Sequence, residues 1–301
     1  MLHVVSVSLG STARDHRAEI VLLGRKILVE RRGTDGSLRR AARLLRELDG
    51  RVDAISLGGI DLYLFAGPRR YTFKDALRLA GAVRHTPLVD GSGIKETWEP
   101  HVVELARQEI GLPQEGQKVL LASALDRWPL AEAFARAGCR LMIGDALFAL
   151  GLPLVFSSLD SFATVARVFL PFFCRLPIAL LYPTGKRQEK SRPRFAALYR
   201  QADILAGDFH FLRRYLPQDL GGKAVFTSTL TRQDVEELAQ RGVRWLVTFA
   251  PEMEGRWFGA NVLEAICTAL LKSRGVKEIK PSLYRPLLAE AGLAPGIYRL
   301  N

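Results

Sequence analysis

The stretch KVLLASALDRWPLAEAFARAGCRLMIGD, residues 118–145, decides the fold class. KVLLASA is a short, mostly apolar run. WPLAEAFARAG carries Pro129 in its first turn and Gly138 at its end, and CRLMIGD is apolar again. Proline suits the first turn of a helix, where its missing N–H removes no intrahelical bond, and glycine suits the left-handed stop. The order is therefore strand, helix, strand, and a crossover of that length joins parallel strands.

Toward the C-terminus, ADILAG, KAVFTS and RWLVTFA read as further strands, separated by helices over about residues 208–215 and 231–241. A helical insertion is expected over residues 158–201. Strands that are nearly all apolar, alternating with helices, predict a parallel sheet covered on both faces. Residues 112–275 are thus a Rossmann-like α/β domain with five parallel strands. A helix over 259–271 closes it, and residues 276–301 supply a C-terminal helix (281–291) and tail, the helix packing back onto the N-terminal part.

Toward the N-terminus the pattern is mixed. HVVSVSLG is a strand, and AEIVLLG with KILVERRG forms a hairpin turning at Gly24 and Arg25. LRRAARLLREL has helical spacing after the turn Thr34–Ser37, VDAISLGG is a strand, residues 72–83 form a helix capped by Thr72, and TPLVD is a short strand. Residues 1–111 are read as an N-terminal α/β domain. The fold class is α/β, a mixed-sheet domain followed by a Rossmann-like parallel-sheet domain.

With 301 residues, 48% hydrophobic and 25% charged, the chain has the composition of a soluble globular protein. Cys139, Cys174 and Cys267 are odd in number and have no metal spacing, so they read as reduced thiols of a cytoplasmic protein, and no metal site is expected. MLHVVSVSLG reads as a strand rather than a signal peptide. The apolar segment 152–182 is broken by Asp160, Arg167, Arg175 and three prolines, which argues against a membrane span. The net charge of +12 raises nucleic acid as a partner. The basic residues are scattered and carry no nucleic-acid motif, so the expected partner is a small anionic metabolite. Self-association into a homo-oligomer is left open.

Ligands of open parallel sheets bind at the carboxyl ends of the strands. At the first such end in the C-terminal domain, Ser123, Asp126 and Arg127 stand where a dinucleotide fold places glycines. Asp145 ends the next strand, where the ribose-binding acid would be. In TPLVDGSGIKETW, residues 86–98, Gly91, Ser92 and Gly93 open a helix beside Lys95; the stretch reads as a turn whose backbone N–H groups bind an anion, as a plain turn in which Asp90 caps the helix, or as the partial dinucleotide fingerprint G-x-G-x-x-E, with the anion-binding turn preferred. Thr184 and Lys186, in a basic loop, are further anion-binding candidates. His210 follows a strand end and is the histidine best placed for acid–base work. Asp61, Asp90 and Lys95 end neighbouring strands and form a carboxylate–ammonium group able to relay a proton, provided burial lowers the pKa of the lysine. Two further ends stand out: Thr227, Ser228 and Thr229, and the polar, glycine-spaced link PEMEGRWFGANVLEA, whose Glu252, Arg256 and Asn261 are expected to line the cleft from the other side.

SVSLGSTARD, LGGIDLYLFAG, VDGSGIK, SALDRWPLAEA, YPTGKRQ, GDFHFLRRYLP and GRWFGANVLEA together resemble a bacterial family commonly labelled quinate 5-dehydrogenase. The resemblance spans nearly the whole chain. It implies hydride transfer between a cyclic polyol carboxylate and NAD or NADP. Lys95 would accept the proton, Asp61 or Asp90 would orient it, and Ser123, Asp126, Arg127 and Asp145 would contact the nucleotide. The competing expectations are a non-redox enzyme acting on a phosphorylated or carboxylated metabolite, and a non-catalytic binding module.

Overall fold

A computed structural model describes residues 1–177, 193–253 and 255–301. Thr184 and Lys186 lie outside the described residues.

The first sheet contains β1 (Leu2–Ser8), β2 (His16–Leu22), β3 (Arg25–Gly33), β4 (Ala54–Gly58) and β7 (Leu88–Val89), in the order β2-β3-β1-β4-β7. β1 runs parallel to β3 and β4, and β2 is antiparallel to β3, so the sheet is mixed. Along β1 the apolar side chains alternate. Val5 and Val7 face the helix Leu38–Leu48, whereas Val4 shares a core with the helix Ala260–Ser273. The β2–β3 turn is made by Leu23 and Gly24, both at positive φ (52° and 71°), one residue earlier than predicted. A hairpin that the sequence reading missed, β5 (Tyr63–Ala66) with β6 (Arg69–Thr72), follows β4. Thr72 belongs to β6, and the next helix is Lys74–Ala80 with Phe73 at its N-cap.

The second sheet contains β8 (Lys118–Leu121), β9 (Arg140–Ile143), β10 (Ile204–Asp208), β11 (Ala224–Ser228) and β13 (Trp245–Thr248), all parallel. Both faces are buried: Val119 and Leu121 enter one core and Leu120 the other. The C-terminal tail adds β16 (Gly296–Arg299) as an antiparallel edge strand against β13. An edge partner needs only one face's worth of apolar pattern, and four residues are too few to display it. A small sheet of β12 (Leu230–Thr231), β14 (Glu252–Met253) and β15 (Arg256–Trp257) sits beside β11. The insertion contributes the helices Leu159–Phe173, capped by Ser158, and Ala196–Gln201.

The helix Ala260–Ser273 follows the five parallel strands of the second sheet in sequence but covers the first sheet. Asn261 Nδ2 donates to Ser6 Oγ of β1 at 3.0 Å and to Ser56 Oγ of β4 at 3.1 Å. This crossing brings the carboxyl ends of β1 and β4 against those of β8, β10 and β11.

Candidate functional site

Between the two sets of strand ends lies a cleft of about 160 Å³. Ser6 and Ser8 of β1, Asp61 after β4, Lys95, Asp126 and Arg127 after β8, Asp208 at the end of β10 and His210 just beyond it, and Arg256 and Asn261 all line it. That volume is below the range of about 300–1,000 Å³ usual for drug-sized ligands, so the cleft suits a compact one.

One wall is a chain of charged side chains. Lys95 Nζ donates to Asp61 Oδ1 at 2.6 Å and to Asp126 Oδ2 at 3.1 Å. Asp126 also lies 3.7 Å from Arg127 Nε, and Arg127 pairs with Glu99, which is fully buried, and lies 3.8 Å from Asp208. Three polar atoms of this network, Glu99 Oε2, Asp126 Oδ1 and Arg127 Nε, are buried without a hydrogen-bond partner among the described residues. Burial alone pulls the Lys95 pKa down, but Asp126 and Asp61 more than offset it and hold the ammonium well above its ordinary value. The sequence expectation of a lowered lysine pKa is corrected here, because two carboxylates face one ammonium. Burial pushes Asp61 up to about 6 against the pull of Lys95, while Lys95 and Arg127 outweigh burial at Asp126 and lower it. Lys95 is therefore a fixed cation, and Asp61, whose side chain is 17% exposed, is the group of the network that can exchange a proton near neutrality.

Asp90 does not touch Lys95. It accepts from Leu62 N at 2.8 Å and Ser92 N at 3.1 Å, and so fixes the loop that carries Asp61. Its part is positioning.

The turn Gly91–Gly93 is not open to an outside anion. The buried Glu264, from the helix Ala260–Ser273, accepts from the backbone of Gly91 and Gly93, and Ser92 N is taken by Asp90. The glycines serve close packing: a Cβ on Gly91 would fall 2.6 Å from Asn261 N, and one on Gly93 2.5 Å from a Tyr284 ring carbon. The anion-binding expectation for Gly91, Ser92 and Gly93 is corrected accordingly.

The turn after β8 is filled in the same way. Asp145 accepts from Ala124 N at 2.9 Å, Leu125 N at 3.0 Å and Ser123 Oγ at 3.2 Å, so the amides that would meet a pyrophosphate already hold a carboxylate. Asp126 and Arg127, expected on a nucleotide, point instead into the Lys95 network. As folded, this turn does not fit a dinucleotide pyrophosphate. On its far side, among the described residues, an apolar cavity of about 350 Å³ has Ser123 and Asp145 on its wall.

Burial pushes both Asp145 and Glu264 up to about 7. Each then holds its proton in the folded state at pH values where the unfolded chain has lost it, so stability falls as pH rises from about 4 to about 7. Tm measured at pH 5.5 should exceed Tm at pH 8, and Glu264→Gln should flatten that difference. A wild-type Tm that is level or higher at pH 8 would reject the assignment.

His210 lies at the start of the helix Phe209–Arg214, its backbone N–H donating to Asp208 Oδ1 at 2.9 Å. Arg14 Nη1 sits 3.0 Å from its Nδ1. Burial, then the Arg14 charge, pushes His210 down to about 4, so the ring is neutral at physiological pH. The expectation of a histidine titrating near neutrality is corrected by burial and, after it, by that neighbour.

Four further arginines line the cleft, and three of them, Arg14, Arg31 and Arg214, were not singled out from sequence; Arg214 Nη1 donates to the Phe148 carbonyl at 2.6 Å, and the other three gather at one end. Arg31 Nη2 donates to Ser8 Oγ at 3.0 Å, and its Nη1 to Ser11 O and Asp15 Oδ1, both at 3.0 Å. Arg256 Nη1 donates to the Arg14 carbonyl at 3.1 Å. Burial, then Arg14, lowers Arg31 to about 10, and burial lowers Arg14 and Arg256 as well, so all three remain cationic at neutral pH. The available signal was the pair Ser6 and Ser8, polar residues on one face of an otherwise apolar strand, aimed toward the arginine-bearing end of β3.

The fold and cleft define an α/β protein with a compact, basic site between two sheets. Residues 93–300 match the family described as domain of unknown function (DUF8754), and the chain belongs to that family. Residues 3–90 match domain of unknown function (DUF8753). No curated protein matches the chain. Among solved structures, a galactofuranose binding protein aligns over 97% of this chain and 99% of its own, at 11% identity and TM-score 0.39. The hetero-hexameric glutamate dehydrogenase from Thermus thermophilus aligns over 96% and 73%, at 12% identity and TM-score 0.45. L-tryptophan dehydrogenase from Nostoc punctiforme aligns over 89% and 67%, at 11% identity and TM-score 0.32. Among the described residues, no helix is long and apolar enough to cross a membrane, and no cluster of three or more acidic, His or Cys side chains is arranged to hold a metal.

Proposed function

We propose that the cleft binds a compact anionic metabolite and that Asp61 exchanges a proton with one of its hydroxyl or carbonyl-adjacent positions, beside the fixed Lys95 ammonium. The observation that carries this reading is Asp61: it bonds Lys95 at 2.6 Å, its carboxyl is raised to about 6, and it lines the cleft that also holds Arg14, Arg31 and Arg256. Lys95 keeps a positive charge next to the reacting oxygen, where it stabilises developing negative charge. The arginines supply orientation at the other end.

The test is turnover followed by proton NMR in a panel of carboxylated and phosphorylated hydroxy compounds that includes quinate and shikimate. Because the base form is needed, activity should rise with pH through about 6. Asp61→Asn should lower turnover about 100-fold, within the usual contribution of a general base, while leaving the thermal shift by the same compound in place. Wild-type-like turnover in Asp61→Asn would end the assignment.

A second reading, oxidation of a cyclic polyol carboxylate such as quinate with NAD or NADP, draws on the family resemblance and on the apolar cavity beside Ser123 and Asp145. It requires Asp145 to leave the turn amides. Millimolar NAD or NADP, with and without quinate, should then raise Tm by several degrees; no shift with either nucleotide would remove this reading.

A further inference from the structure

We infer that the anion recognised by the cleft is a phosphate monoester dianion, rather than a carboxylate. This rests on the cleft being the ligand site and names the class of ligand it takes.

Three guanidinium groups surround one short turn, the 3-10 turn Thr12–Arg14. Arg31 grips the carbonyl just before it, at Ser11, and Arg256 grips the carbonyl of Arg14 itself. Arg14 extends from the turn against the neutral His210. The three come from separate parts of the chain, so the fold has assembled them at one place in the cleft. They are close enough to disfavour one another: Arg256 and Arg14 each depress Arg31, and Arg256 depresses Arg14.

The compensation is incomplete. Asp15 meets Arg31 at 3.0 Å. Among the described residues, no carboxylate lies within salt-bridge distance of the guanidinium of Arg14 or Arg256; Asp208 and Asp234 act on Arg14 only from further away, and Asp234 is itself bonded to Arg213 at 2.8 Å. Two of these three positive charges are thus left without a carboxylate in contact, Arg14 meeting the neutral His210 ring and Arg256 a backbone carbonyl. A carboxylate carries one charge and two oxygens, which a single arginine satisfies bidentately. A phosphate monoester carries about two charges at neutral pH and three terminal oxygens, which matches two uncompensated guanidinium groups with the hydroxyl of Ser8 nearby. The cleft's modest volume leaves room beyond the phosphate for a short hydroxylated skeleton reaching Asp61 and Lys95.

The experiment is calorimetric titration of the full chain with inorganic phosphate, quinate and acetate at constant ionic strength, which holds the non-specific pull of the +12 net charge fixed. Phosphate should bind at least ten-fold more tightly than quinate or acetate. Arg14→Gln and Arg256→Gln should each weaken it about ten-fold or more, while Arg39→Gln, an exposed position on a helix away from the cleft, should not. Quinate or acetate binding as tightly as phosphate, with the same dependence on Arg14 and Arg256, would overturn the phosphate assignment and leave the cleft as the ligand site. Binding of no anion, or binding indifferent to both cleft substitutions, would overturn both. The wild-type ranking decides the first point even if a variant is poorly folded.

Discussion

Lys95→Met is expected to lower the unfolding free energy by about 3–5 kcal/mol at pH 7.5, the usual cost of deleting one partner from a buried ion pair. Lys95 is 7% exposed and serves two carboxylates, at 2.6 and 3.1 Å. Without it, Asp61 and Asp126 lose their ammonium and repel each other in a site with little water. The carboxylates escape that cost by taking up protons, so the loss should shrink at pH 5. Adding Asp126→Asn to Lys95→Met should recover part of the stability, and the double-mutant cycle measures the coupling. Urea denaturation at the two pH values is the measurement. A loss below about 1 kcal/mol at pH 7.5, the size typical of an exposed pair, would mean the network is hydrated and that Lys95 is free to titrate.

Gly91→Ala is expected to cost about 2–5 kcal/mol, the sum of overpacking and of placing an L-residue in left-handed backbone. Gly91 sits at φ +95°, and an added Cβ would fall 2.6 Å from Asn261 N and 2.9 Å from the Ala260 carbonyl carbon. Those neighbours are backbone at the start of a helix and cannot rotate aside. Pushing that helix start outward also moves Asn261 from Ser6 and Ser56, which loosens the contact between the two halves of the cleft. Gly111→Ala is the matched control: φ is +69°, but nothing lies within 4 Å of the added carbon, so only the backbone strain of about 1–2 kcal/mol remains. An anion cradle would respond differently, with near-normal stability and weakened ligand binding. Equal Tm losses for the two variants would restore that alternative.

The sheets were legible because their signals are local. A proline in the first turn, a glycine at the stop and unbroken apolar runs of strand length define the β8–helix–β9 unit whatever it packs against. The hairpin β2–β3 announced itself by two alternating strands around a glycine. The strands β5, β6 and β16 did not, since each has four residues and an edge position that imposes no full apolar pattern.

The cleft was only partly legible. Strand-end reasoning found Asp61, Asp126, Arg127, His210, Arg256 and Asn261, because ligands of parallel sheets gather where strands end. It assigned their roles from isolated residue types, and here the neighbours changed the chemistry. Lys95 is kept cationic by two carboxylates, one of them 31 residues away, and His210 is kept neutral by burial and then by Arg14, which lies 196 positions earlier. Glu99 and Glu264, which the sequence does not single out, are buried partners of Arg127 and of the Gly91–Gly93 turn.

Two turns looked like anion sites in one dimension and proved to be filled by Asp145 and Glu264 in three. Sequence alone determined the α/β class, the parallel second sheet and the strand ends at which a ligand would be held, since periodicity and turn chemistry are written residue by residue. Tertiary structure alone decided which backbone amides remain free, which carboxyl keeps a proton and where uncompensated positive charge collects. Those are properties of burial and of charges brought together across the chain, and a string of residues carries neither distance nor dielectric.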